Sequence, residues 1–127
     1  MPLTMTYDKD KGILYGVADQ QLSLEELGQA MQDILHSTEY PPNTPALWDL
    51  RKLDFKNIDK TYIQNLMALR KDNPQRGQAK IAIIADQDLG FGLSRMYEML
   101  SDDLPQRIMV FRNMSDGEAW LLEDSSS

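Results

Sequence analysis

The chain has 127 residues, 42% apolar and 26% charged, which suits one water-soluble domain that buries its own core without a metal or disulfide. It contains no cysteine, and this excludes disulfides, thiol catalysis and Cys-ligated zinc. A formal charge of -7 disfavours contact with nucleic acid phosphates and with anionic lipid surfaces.

The amino-terminal MPLTMTYDKDKG has no positive start followed by an apolar run, so no signal peptide is expected. No apolar stretch approaches bilayer length, so no integral membrane association is expected and a cytoplasmic location is the working assumption. Residues 3–8 and 12–18 (GILYGVA) read as two strands joined through DKDKG, a hairpin. The spacing Asp8-x-Asp10-x-Gly12 also opens like a calcium loop, but the sixth and twelfth places hold Ile13 and Asp19 instead of glycine and glutamate.

Ser23 with Glu26 is a capping-box signature, and Leu24, Leu27, Met31, Ile34 and Leu35 follow at helical spacing. The helix therefore covers about 24–37 and stops before Tyr40-Pro41-Pro42. His36, the single histidine, falls at its carboxyl end, where a cation suits the helix dipole; it reads as a terminal cap, not a catalyst. ALWDL (46–50) is a short strand apolar on both faces, as in a parallel sheet. A second helix over about 59–72 carries Ile63, Leu66, Met67 and Arg70 on one side and ends at Asn73-Pro74 and Gly77. The basic stretch 70–80, with Arg70, Lys71, Arg76 and Lys80, reads as a solvated helix end and turn.

KIAIIA (80–85) is a buried strand, followed by a helix over about 89–102 and a strand RIMVF at 107–111. The last helix starts at Ser115 with Glu118 as a capping glutamate, and it presents Ala119, Trp120, Leu121 and Leu122. Ser125–Ser127 form a frayed tail, leaving one domain over 1–124. The order ββαβαβαβα predicts an α/β fold with a mainly parallel sheet, one antiparallel strand from the hairpin and about four helices. Trp48 and Trp120 are expected to tie the sheet to the terminal helix.

ADQDLGFGLSRM sits where a phosphate-binding loop would sit, after a strand and before a helix. The dinucleotide fingerprint fails because Arg95 stands where its third glycine belongs, and no Gly-Lys-Ser/Thr completes a P-loop. The structural reading is that Asp86 or Asp88 caps the helix, while Gly90 and Gly92 relieve crowding against the sheet edge. Leu89, Leu93, Met96, Tyr97 and Leu100 then form its buried stripe. Arg95 is expected near Asp49 and Arg51 at the carboxyl edge of the sheet, with Asp49–Arg95 as a latch or else as part of a ligand-facing charge cluster. Asp86-x-Asp88 offers a magnesium pair, although turn and helix-start chemistry accounts for it; no metal or cofactor is expected. One histidine, no cysteine and no Gly-x-Ser-x-Gly elbow leave enzyme chemistry without its usual groups.

The phrases ILYGVADQQLSLEEL, ALWDLRKLDF, KIAIIADQDLGFGLSRMYEML and IMVFRNMSDGEAWL resemble the bacterial SpoIIAA-like proteins with a STAS-type fold, over roughly residues 10–122. The resemblance implies a single mixed-sheet domain that acts as a binding or regulatory module through protein contacts. In anti-sigma-factor antagonists of this kind a helix-start serine is phosphorylated. The matching stretch here is Lys56-Asn57-Ile58-Asp59-Lys60, with no hydroxyl before Thr61, so that switch is not carried over. Two readings follow: a non-enzymatic module that docks a protein, including a second copy of itself, through one helix face; or a carrier of a small apolar or anionic, lipid-like ligand near the carboxyl ends of the strands. The candidate binding residues are Asp49, Arg51, Asp86, Gly90, Gly92 and Arg95.

Overall fold

A computed structural model of the chain describes residues 3–39, 43–71, 79–102, 104 and 106–123. The Tyr40-Pro41-Pro42 and Asn73-Pro74-Gly77 stops, Arg76 and the 125–127 tail lie outside these residues, as does the side chain of Leu35. In chain order the elements are β1 (Leu3–Asp8), β2 (Ile13–Gln20), α1 (Leu24–His36), β3 (Ala46–Leu53), a 3-10 turn (Phe55–Asn57), α2 (Lys60–Lys71), β4 (Lys80–Ile84), α3 (Asp88–Leu100), β5 (Arg107–Phe111) and α4 (Met114–Leu121).

The five strands lie in the order β1-β2-β3-β4-β5, with β1 antiparallel to β2 and the rest parallel. The hairpin turns as its residues dictate. Asp8 Oδ1 accepts from the backbone N–H groups of Asp10 and Lys11, and Gly12 takes φ +69, a left-handed conformation natural to glycine. α1 begins with the full capping box of Ser23 and Glu26 and ends with His36 Nδ1 at 2.8 Å from the Gln32 carbonyl.

Each parallel step moves one place across the sheet in the same direction. Right-handed crossovers therefore put α1, α2 and α3 on one face, and α4 folds back on the other. On the α4 face Ile13, Leu47, Ala82 and Ile84 pack against Trp120 and Leu121. Gly117 lets α4 come this close, since a Cβ there would stand 2.6 Å from Ile84. On the opposite face Leu14, Ala18, Leu53, Ile83, Ile108 and Val110 meet the three crossover helices.

Four expectations change at this level. β3 runs on to Leu53, so Arg51 belongs to the strand instead of leaving it. α4 is capped by Asn113, whose side chain accepts from Asp116 N–H, while Glu118 turns to Tyr15 and Lys11. Trp48 alternates with Leu47 and so faces the crossover helices; of the two tryptophans, Trp120 is the one that packs α4 on the sheet. The basic stretch is no single solvated face, because Arg70 is buried and Lys80 lies over the Trp120 ring with Nζ donating to the Trp120 carbonyl.

Candidate functional site

Asp49 and Arg51 lie two residues apart, on the same face of β3. Arg51 Nε and Nη2 each donate to the Asp49 carboxylate at 2.8 Å, and Arg51 N–H donates at 3.1 Å. The guanidinium beside it holds the Asp49 carboxyl below the usual carboxylate range. Asp86 adds a negative field at Arg51. The expected Asp49–Arg95 latch is not formed. Arg95 reaches instead to Glu98 at 2.5 Å on its own helix, and Glu98 also accepts from Val110 N–H at 2.9 Å. A planar fork two residues along a strand meets its carboxylate with little rearrangement, whereas Arg95 sits on the outer flank of α3.

The start of α3 departs from expectation as well. Its N-cap is Gln87 with no side-chain cap bond, so neither Asp86 nor Asp88 caps it. Arg112, just past β5, stabilises this corner: it reaches the Asp86 carbonyl at 3.4 Å and Asp88 at 3.3 Å, and lies 4.2 Å over the Phe91 ring. Gly90 is needed for close approach, but to Phe55 of the 3-10 turn, since a Cβ would fall 2.5 Å from that ring. Gly92 faces open space and relieves no crowding. The carboxyl edge thus gathers Asp49, Arg51 and Asp86, whereas Gly90 packs on Phe55, Gly92 faces open space and Arg95 pairs with Glu98. Among the described residues no three His, Asp or Glu side chains cluster as metal ligands.

α3 turns only part of its expected stripe inward: Leu93 and Tyr97 face the space between sheet and helices. Gly90 and Ser94 are buried, with Tyr97 beneath them, while Leu89 (62%), Met96 (41%) and Leu100 (48%) of the expected stripe are exposed, together with Met99 (64%).

Beneath the small-residue side of α3 lies the feature that sequence reasoning did not locate. A cavity of about 150 Å³ separates the sheet from α1, α2 and α3. From the sheet it is lined by Trp48, Leu50, Leu53, Ile81 and Ile83, and from α1 by Leu27, Met31 and Ile34. Phe55, Ile58 and Tyr62 close one end. Tyr62 donates to the Leu22 carbonyl at 2.6 Å, and burial pushes its phenol up to about 12.

The other end is polar. Arg70, in the last turn of α2, is only 7% exposed and lines the cavity. Its Nη1 donates to Ser101 Oγ at 2.7 Å and its Nη2 to Gln106 Oε1 at 3.0 Å, and the guanidinium lies 5.3 Å from the Tyr97 ring centre. Ser101 in turn donates to the Tyr97 carbonyl at 2.7 Å. Burial raises the Tyr97 phenol above its ordinary range, and Arg70 opposes that rise. One sequence signal did point here. Arg70 occupies the i+7 place of the apolar stripe Ile63, Leu66, Met67, where a charge is out of pattern. Ser101 and Gln106 give no such signal.

No family model and no curated protein matches the sequence. Among solved structures, the chain is similar to an uncharacterized protein from the DUF3478 family with a SpoIIAA-like fold, from Shewanella loihica PV-4, with a TM-score of 0.63 and 19% identity, covering 94% of this chain and 91% of that one. The fold is therefore the SpoIIAA-like one that the sequence resemblance implied, a five-stranded mixed sheet with four helices. At this identity the likeness speaks to fold alone. Among the described residues no helix is long and apolar enough to cross a membrane.

Proposed function

We propose that this SpoIIAA-like domain is a non-enzymatic binding module that holds a small, largely apolar molecule between its sheet and the helices α1, α2 and α3. The observation that carries this reading is the cavity of about 150 Å³, bounded almost wholly by aliphatic and aromatic side chains. Apolar surface of this kind is unfavourable against water, and an apolar occupant that covers it is favoured. Two observations support the absence of catalysis. Asp49 is engaged by Arg51 and Asp88 by Arg112, and His36 Nδ1 is engaged by the Gln32 carbonyl of its own helix.

Trp48 lines the cavity and Trp120 packs on the far face of the sheet, so intrinsic fluorescence tests the reading directly. Titration with a medium-chain alcohol such as decanol should give a saturable change that survives Trp120→Phe and disappears in Trp48→Phe. A flat titration, together with no apolar molecule recovered by native mass spectrometry or solvent extraction, would remove the proposal.

A second reading is favoured by α3. Leu89, Met96, Met99 and Leu100 present an exposed apolar stripe free of charged residues, while Arg95 and Glu98 pair with each other to one side. Such a face is self-complementary, and a second copy of the chain packing helix against helix is the occupant it suits.

A further inference from the structure

The polar end of the cavity narrows the class of ligand. Building on the proposed cavity site, we infer that the ligand is a single-chain anionic amphiphile whose oxyanion headgroup, a carboxylate or a phosphate, binds at Arg70 while its chain lies along the apolar wall. Arg70 brings a guanidinium cation into the interior, where it is buried. Its partners among the described residues are the Ser101 hydroxyl, the Gln106 amide oxygen and the Tyr97 ring, all neutral. They satisfy hydrogen bonding, and no buried side-chain nitrogen or oxygen among the described residues lacks a partner. They do not neutralise the charge. A buried cation whose partners among the described residues are all neutral is costly, and the carbonyl end of α2 compensates it only in part.

Among the described residues, two of the guanidinium's five N–H groups are used, in the bonds to Ser101 and Gln106, and an oxyanion is the acceptor that suits the others. Ser101 and Gln106 also fix the orientation of the fork, so a headgroup meets a prearranged donor set.

Placement along the helices supports a chain instead of a compact ligand. Phe55 packs on Gly90 at the start of α3, and Arg70 bonds Ser101 at its end. Eleven residues of helix separate those contacts, about 16 Å at the α-helical rise. The cavity lining reaches from Phe55 and Ile58 at one end to Arg70 and Gln106 at the other. An apolar tail at the Phe55 end and an anion at the Arg70 end match this distribution.

The test is calorimetric titration of the intact chain with decanoate, decyl phosphate, decanol and decylamine, each below its critical micelle concentration. The expected result is that at least one of the two anions binds about tenfold or more tighter than decanol, with decylamine weakest. Arg70→Gln should bring the anions and decanol to similar affinity. The two anion arms separate a carboxylate from a phosphate headgroup. If Arg70→Gln does not fold, Gln106→Ala and the ranking of the four ligands on the unmodified chain decide the matter. Equal, saturable binding of anions and alcohol overturns the anion assignment and leaves the apolar site intact, whereas binding of none overturns both.

Discussion

Asp49 is clasped by Arg51, its neighbour on the same face of β3, through two side-chain hydrogen bonds of 2.8 Å, and makes no latch with Arg95. Arg51 holds the Asp49 carboxyl below its usual range, so the folded state favours the ionised acid. The stabilising contribution is present above the unfolded carboxyl value of about 3.9 and is lost as pH falls through the lower folded value. Because Arg51 is 41% exposed, solvent screening limits the contribution to about 1 kcal/mol or less. Asp49→Asn should lower the melting temperature slightly near neutral pH and match the unmodified chain in strong acid. Melting curves across that range check it, and a deficit that persists unchanged in acid would mean that packing, not the ion pair, is at work.

The fold was legible because each element carried its own local signal. Ser23 and Glu26 marked the start of α1, KIAII marked a strand buried on both faces, and alternation of strands with helices dictated parallel pairing. The orientation of α3 was legible from hydrophobicity only in part. Leu93 and Tyr97 of its expected stripe do turn inward, but the helix is rotated so that Gly90 and Ser94 are buried, Gly90 against Phe55, and Leu89, Met96 and Leu100 are left exposed. Asp49 with Arg51 was readable from strand periodicity, yet a contact distant in sequence was expected instead. The cavity was invisible because a void depends on how three helices sit over the sheet, a property no single segment encodes. Only the misplaced charge of Arg70 hinted at it.

The two glycines of GFG should respond to alanine with opposite signs. A methyl at Gly90 would collide with the Phe55 ring at 2.5 Å, so Gly90→Ala should destabilise by about 1–3 kcal/mol. Gly92 faces open space and its φ is not positive, so Gly92→Ala gains helix propensity, about 0.5–1 kcal/mol. Denaturant unfolding of the two variants at low protein concentration measures both. Equal losses would show that α3 does not pack on its Gly90 side.

Tyr15 and Glu118 join the hairpin to α4. The Tyr15 hydroxyl makes a short bond to the Glu118 carboxylate, and Lys11 Nζ meets the same oxygen at 3.0 Å. Burial first, and then the bond to Glu118, push the Tyr15 phenol up from 10.0 to about 12. A raised phenol favours the neutral form in the folded state. Its stabilisation is therefore complete below about pH 10 and is lost as pH rises towards 12. Tyr62, also pushed up to about 12, acts in the same window. Tyr15→Phe should blunt, without abolishing, the alkaline loss of stability. Ultraviolet titration should show Tyr15 ionising late in the folded chain, and ionisation at the ordinary tyrosine value would refute the link.

The apolar stripe of α3 separates fold stability from association. Leu89 and Met99 are 62% and 64% exposed, so Leu89→Ser and Met99→Ser remove little buried area and should change unfolding stability by no more than about 0.5 kcal/mol. If two copies pack along this helix, the same changes should shift the unmodified chain's concentration-dependent dimer towards monomer in sedimentation equilibrium. Met96, on the same stripe and 41% exposed, should act in the same direction. Changes at Val17, exposed on the open part of the sheet far from α3, should leave association untouched. An unmodified chain that stays monomeric at high concentration would remove self-pairing through α3, and equal effects at Val17 and Leu89 would show that association follows general apolar exposure and not this helix.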